Sequence, residues 1–254
     1  MKMAITRDVS SSIDRCEITH LDREPIDHQR ASTQHREYAR LLEIAGCRVV
    51  AIPEDGAFPD AVFIEDTAVV LDELAIITRP GAESRRGETA AVATALAPYR
   101  ALRTVDAPAT LDGGDVLLID HRIFIGESER TTSAAIEQVR RIAAPLGYDV
   151  TGVAVSGCLH LKTAVTEVGE GTLLINRAWV DASRFEPFVL IEVDPSEPFA
   201  GNALRIDFLV VYPSSYPKTA ERLREAGIKL ATVDASELAK AEGGVTCCSL
   251  VFEV

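Results

Sequence analysis

The sequence has little positive charge, no long apolar run, no low-complexity tract and no paired-cysteine motif, and each absence removes a class of function. Against 39 aspartates and glutamates stand only 26 lysines and arginines, a formal net charge of −13. An acidic chain repels phosphate backbones, so no nucleic-acid partner is expected. No stretch approaches the roughly 20 consecutive apolar residues that a spanning helix needs, so no membrane partner is expected. Polar tracts are missing as well, which argues against disorder. The cysteines (Cys16, Cys47, Cys158, Cys247 and Cys248) are odd in number and contain no C-x-x-C pair. Neither a zinc ribbon nor a thioredoxin-type motif is present, and no dedicated metal site is expected. The opening residues Met1–Asp8 carry no apolar signal core, and a cytoplasmic protein with reduced thiols is the simplest expectation.

What is present is ordinary globular material, 47% hydrophobic and 26% charged, enough for a substantial core. Apolar residues recur at three-to-four spacing over 28–45 (Ala31, Gln34/His35, Tyr38, Leu41/Leu42, Ala45), which predicts a helix stopped by Gly46. Strand-like runs follow at 47–53, 61–64, 68–71 and 74–78, then a helix at 84–97 and a strand at 101–106. Two strands flank Asp120-His121, a helix covers 131–146 and a strand 148–155. Strands at 159–166 and 171–176, a short helix near 181–186 and a strand at 188–193 make another round. Strands within 203–212, a helix at 215–226, a strand at 228–233 and strands from 245 to 253 complete the chain. The order hairpin, helix, strand repeats about five times. Asp66, Asp112, His160, Asn202 and Cys247 recur with it, 46, 48, 42 and 45 residues apart. Such a period points to a repeat or propeller-like array in which each repeat delivers one polar residue to a common centre. Chance placement among so many acidic residues is the competing explanation. No low-complexity linker divides the chain, so residues 1–254 read as one catalytic domain of about five repeats.

Several positions carry chemistry. Gly243-Gly244 precedes Val245-Thr246-Cys247-Cys248, and glycines before a strand permit close backbone approach. Neighbours in a strand face opposite ways, so one thiol of the pair would face the core and the other a cavity. A nucleophilic cysteine needs a cation or base beside it; a buried inert thiol is the plain alternative. His160 lies between Leu159 and Leu161 and suits a general acid/base, or a satisfied interior histidine. His20, His28, His35 and His121 read as surface positions. Asp112, in Leu111-Asp112-Gly113-Gly114-Asp115, would orient a histidine or simply make a turn. Glu65-Asp66 interrupts two apolar runs. It is either an exposed turn or a buried pair that a planar guanidinium would complement. Arg85, after Pro80-Gly81, and Arg130 fall at helix starts, where a cation is out of place unless it answers a bound carboxylate.

Taken together these segments resemble the dimethylarginine dimethylaminohydrolases of the guanidino-group-modifying superfamily. The motifs are Pro59-Asp60-Ala61-Val62-Phe63-Ile64-Glu65-Asp66, Arg79-Pro80-Gly81 through Arg86, Leu111–Val116, Glu129-Arg130-Thr131, Leu159-His160-Leu161-Lys162 and Val245–Ser249. They span essentially the whole chain. The resemblance implies an α/β fold, a five-bladed α/β propeller (pentein) of ββαβ modules around a central active site. It implies hydrolysis of Nω-methylated arginines to citrulline and methylamine or dimethylamine, without a cofactor, through a covalent thiouronium on cysteine. Residue by residue it implies Cys247 as nucleophile, His160 as acid/base and Asp112 as its support. Asp60, Glu65 and Asp66 would form the substrate pocket, with Asp60 and Asp66 at the guanidinium end. Arg85 and Arg130 would hold the α-carboxylate, Ile18 would lie on a covering lid, and the Ala241 carbonyl would meet the ligand. The partner would thus be a small cationic guanidino amino acid, and the assembly a monomer or a homodimer. The segment Ser10–His20 departs from the family's usual lid. His160-Leu161-Lys162 stands where arginine deiminases have His-Leu-Asp, and those chains are longer. A deiminase, citrulline hydrolase, amidinotransferase or non-catalytic amino-acid-binding protein is the alternative.

Overall fold

A computed structural model describes residues 1–254. Its strands form five separate three-stranded sheets. Four are built alike from consecutive segments: β3 (Ala68–Val70), β4 (Leu74–Ile77) and β5 (Ala101–Thr104); β6 (Val116–Ile119), β7 (Arg122–Glu127) and β8 (Asp149–Ala154); β9 (Val165–Gly169), β10 (Thr172–Ile175) and β11 (Val189–Glu192); β12 (Leu204–Ile206), β13 (Leu209–Pro213) and β14 (Lys229–Val233). In each, the first two strands are an antiparallel hairpin, and the third returns parallel to the second. A parallel return needs a crossover. It is supplied by α2 (Thr89–Leu96), by α3 (Ser133–Ala143), by a 3-10 turn at Ala182–Phe185 and by α5 (Pro217–Glu225), which is numbered after the one-turn helix α4 (Leu161–Ala164).

The fifth sheet has the same design but is divided between the chain ends. β1 (Lys2–Arg7) pairs parallel with β2 (Arg48–Ile52) across α1 (His28–Ile44), and antiparallel with β15 (Ser249–Glu253). This is the five-bladed α/β propeller of ββαβ modules. The first strands β3, β6, β9, β12 and β15 all line one central cavity. Apolar clusters fill the space between neighbouring sheets and their helices, as where Met3, Ile5, Ile64, Ile77, Val92 and Leu250 pack together.

The local rules explain the helices. Asp27 caps α1 by accepting the Arg30 N–H at 3.0 Å, and the face Ala31, Gln34, His35, Tyr38 and Leu42 is buried. Gly46, at φ +94°, ends it. His35 corrects the surface reading. It lies on the buried stripe, 4% exposed, with Nε2 unpartnered, and burial pushes its pKa down to about 4. His20, His28 and His121 are exposed. Four further expectations change. The run 84–97 is a 3-10 turn (Glu83–Glu88) followed by α2, and 61–64 leads into a 3-10 turn at Ile64–Thr67 instead of a strand. Residues 159–164 are a turn and α4, because His160 and Leu161 are drawn to buried carboxylates. Residues 244–248 are turn, so strand alternation does not orient the two thiols. No helix is long and apolar enough to cross a membrane.

Candidate active site

The polar residues of the periodic series meet at one end of the hairpins. Asp66 sits in the 3-10 turn before β3, and Asp112 just before the turn Gly113–Asp115 that opens β6. His160 is the residue before α4, Asn202 precedes β12, and Cys247 lies two residues before β15. Each module therefore presents its residue from the same structural place, the entry to its first strand.

His160 Nε2 lies 3.1 Å from Asp112 Oδ2, and Nδ1 lies 3.9 Å from Asp66 Oδ1. Asp112 is fully buried, and its other oxygen accepts the Gly81 N–H at 2.8 Å, so its orientation is fixed. Burial works to lower the His160 pKa. The charge of Asp66, the bond to Asp112 and the charge of Asp115 overcome it and raise the value to about 9. The imidazole is thus a cation at neutral pH. Gly114 makes this approach possible: a Cβ there would lie 2.6 Å from His160 Nδ1 and 2.7 Å from Asp66 Oδ1. The Asp-Gly-Gly segment is accordingly more than a surface turn.

Cys247 Sγ accepts the Gly244 N–H at 3.3 Å. Burial, then the charges of Glu65 and Asp66, push its thiol up to about 12. The loop is pinned from several sides. The Glu65 N–H donates to the Cys247 carbonyl at 3.1 Å. The Thr246 hydroxyl donates to Glu65 Oε2 at 2.7 Å, and the Thr246 N–H to Asn202 Oδ1 at 3.1 Å. Gly244 packs so close to Asn202 that a Cβ would lie 2.4 Å from its amide. Cys248 is buried in the core among the cluster of α1 and β1 and faces away from this loop's cavity.

Asp60, Asp66, Arg85, Arg130, His160, Ala241 and Cys247 all line one small cavity of about 20 Å³. Asp66 is held below the usual carboxylate range despite its burial, by the charges of His160 and Arg85. Arg85 is itself buried and its donors are engaged. Nη1 bonds Asp66 Oδ2 at 2.6 Å, Nη2 bonds Glu88 at 2.9 Å, and Nη2 also reaches the Phe63 carbonyl at 3.0 Å. Glu65 does not line this cavity. It pairs with Lys162 Nζ at 2.5 Å behind the cysteine loop, on the side of the central channel. Burial raises its pKa against the pull of Lys162.

The segment 16–21 closes the cavity as a strap. The Glu17 N–H donates to both Asp60 oxygens at 3.2 Å, and the Ser84 hydroxyl to Glu17 Oε1 at 2.6 Å. Arg130 Nη2 donates to Thr19 Oγ1 at 2.8 Å. Glu242, in the left-handed region at φ +59°, accepts from the Thr19, His20 and Leu21 N–H groups. Ile18 is half-buried and packs on the apolar cluster beneath the strap, while its neighbour Glu17 meets the cavity. Sequence reasoning missed Glu17, Glu242, Glu88 and Asp115. Asp115 is fully buried, accepts from Ser128 Oγ and the Leu161 N–H, and is raised to about 6 by burial. Only Asp115 stood inside a quoted motif; the others carry no local signal.

A family model described as "N,N dimethylarginine dimethylhydrolase, eukaryotic" matches residues 5–253. An N(G),N(G)-dimethylarginine dimethylaminohydrolase of Streptomyces coelicolor is 40% identical, covering 98% of this chain and 96% of its own. A protein of the same name from Pseudomonas aeruginosa is 34% identical, covering 95% of each chain. Among solved structures, a cysteine-to-serine mutant of a Pseudomonas aeruginosa enzyme of that name, complexed with citrulline, superposes with a TM-score of 0.94 at 32% identity over 98% of both chains.

Proposed function

The chain belongs to the dimethylarginine dimethylaminohydrolase family, and on that footing we propose that it hydrolyses asymmetric dimethylarginine and monomethylarginine to citrulline and dimethylamine or methylamine. One observation carries the reading: the thiol of Cys247, the imidazole of His160 and the carboxylates of Asp60 and Asp66 all border the same small cavity. A C–N hydrolysis through cysteine needs a nucleophile, an acid for the departing amine and anions for the guanidinium.

The substrate's guanidinium docks against Asp66 and Asp60, and the α-carboxylate meets Arg130, with Arg85 behind. Cys247 holds its proton in the free protein, because burial and then the surrounding carboxylates oppose a thiolate. A bound guanidinium offsets those carboxylates and favours ionisation. Sγ attacks the guanidinium carbon. His160, already an imidazolium, donates a proton to the departing amine and leaves a thiouronium; the neutral imidazole then takes a proton from water, which attacks the same carbon and releases citrulline. Asp112 keeps the imidazole oriented and supports its charge. Glu65 acts on the loop by holding Thr246.

Incubation with asymmetric dimethylarginine and an assay for citrulline tests the reading. Cys247→Ser abolishes turnover and Cys248→Ser leaves most of it. Loss in the second variant alone would reverse the nucleophile assignment, and preferred release of ammonia from unmethylated arginine would make the protein a deiminase.

A further inference from the structure

Cys247 stands in the wall between two spaces. One is the small cavity described above. The other is a larger cleft of about 300 Å³. The two share Leu159, Glu242, Gly243 and Cys247, so the cleft reaches the nucleophile from the side away from Arg85 and Arg130. Its further walls are Phe199, Tyr216 and Ala239, which are apolar or aromatic, and its rim carries the carboxylates of Glu24 and Glu242. The rim's cation, Lys240, is occupied by Glu237 at 2.8 Å and the Pro25 carbonyl at 3.0 Å.

The amine that leaves is bonded to the carbon that Sγ attacks, so the space reached from Sγ decides which nitrogen substituents fit. On the other side the strap is fastened by Glu242, by Arg130 and by Asp60, and the space beyond it is walled by Glu17, Glu83, Glu129 and Arg130, does not touch Cys247 and offers an alkyl chain little apolar surface. We propose that the cleft is the leaving-group side of the site, so that the protein also hydrolyses guanidino amino acids whose Nω-substituent is a longer apolar alkyl or aralkyl chain, releasing the corresponding primary amine. This rests on the hydrolase reading above. The bond changes are those of the methyl substrate. An S–C bond forms, and the C–N bond to the substituted nitrogen breaks with its electron pair on nitrogen, which takes a proton from His160. Water then supplies the ureido oxygen and the thiol is restored. The apolar walls bury the chain, and the Glu24 carboxylate suits a departing ammonium ion, Glu242 being engaged by the strap amides.

The experiment compares kcat/KM for Nω-methyl-, Nω-butyl- and Nω-phenethyl-arginine by citrulline release, in the wild type and in two variants that fill the cleft, Ala239→Phe and the exposed Ser215→Trp. The expected result is a butyl substrate within about tenfold of the methyl one, and a loss of about tenfold or more for the long substrates alone in at least one variant, a methylene in an apolar pocket being worth that order of discrimination. Methyl turnover that persists in the variants shows that they fold. Turnover of the methyl substrate without the longer ones in the wild type overturns the inference and leaves the hydrolase reading standing. Equal loss on all substrates in both variants, or no selective loss in either, also overturns it. Citrulline from none of the three overturns the hydrolase reading and this inference with it.

Discussion

The carboxylate of Glu242 holds the backbone of His20: Oε1 accepts its N–H at 2.6 Å, and the same carboxylate also takes the N–H groups of Thr19 and Leu21. Three successive amides on one anion form a latch between the strap and the cysteine loop. Glu242 reaches them from a left-handed backbone conformation that disfavours a side chain. Charge-assisted bonds of this kind are individually strong.

Glu242→Ala therefore loosens the strap. The expected outcome is a KM raised about tenfold, equivalent to ~1.4 kcal/mol, with kcat changed far less and faster alkylation of Cys247 by a bulky thiol reagent. Glu242→Asp restores part of both. An unchanged KM and alkylation rate would show that the latch contributes nothing to closure.

Asp112→Asn removes a charge and a bond that help keep His160 protonated up to about pH 9. The imidazolium is the acid, so activity falls as pH rises through its pKa. In the variant that alkaline limb moves to lower pH, and kcat/KM drops by about 10²–10⁴. A pH–rate profile decides it. An unmoved alkaline limb would mean another group sets it.

Lys162→Met leaves Glu65 buried without its cation. Removing one member of a buried pair costs about 3–5 kcal/mol, so the melting temperature falls well below that of the wild type. The double change Lys162→Met with Glu65→Gln recovers part of the loss. A single variant as stable as the wild type would show that the pair is dispensable to the fold.

His35 titrates in the opposite sense to His160. Its folded pKa, about 4, lies below the ordinary 6.5 because burial disfavours the charged ring. Between these values the unfolded chain binds the extra proton, so stability present above pH 6.5 is lost as pH falls toward 4, by on the order of 3 kcal/mol. His35→Gln flattens that part of a plot of melting temperature against pH. A wild-type curve with the same slope as the variant would rule the effect out.

The five-fold recurrence was legible because each module repeats one pattern of hairpin, helix and strand, and because its polar residue always falls at the entry to the first strand. The helix over 28–44 was legible for the same reason, its apolar face having a full run of turns to declare itself. Residues 159–164 were not. Leu159, Leu161, Ala164 and Val165 read as a strand, yet Asp112 takes the His160 ring and Asp115 takes the Leu161 N–H, and these partners lie more than 40 residues away. The strand Lys2–Arg7 escaped notice because its apolar run is only Met3–Ile5, between Lys2 and Thr6-Arg7, and both its partners are remote. Glu17 and Glu242 are ordinary acidic residues in sequence. Only folding sets them over Ser84 and the strap amides. Arg85 lines the cavity with the other candidates, but its engagement with Asp66 and Glu88 depends on burial that no local pattern shows.

The divided sheet has a consequence for how the chain is made. β1 is the first of the fifteen strands to be synthesised, and its antiparallel partner β15 is the last of them. The ring of blades thus stays open until residues 249–253 have been made, and Cys247 is delivered just before them. A nascent chain holds His160 and the carboxylates long before it holds a nucleophile, so the reactive centre and the closure of the ring arrive together. With the Met1 nitrogen 2.8 Å from the Val254 carbonyl, a short linker across that gap and a new opening at the exposed Glu170-Gly171 turn would reverse the order and deliver the nucleophile before the histidine.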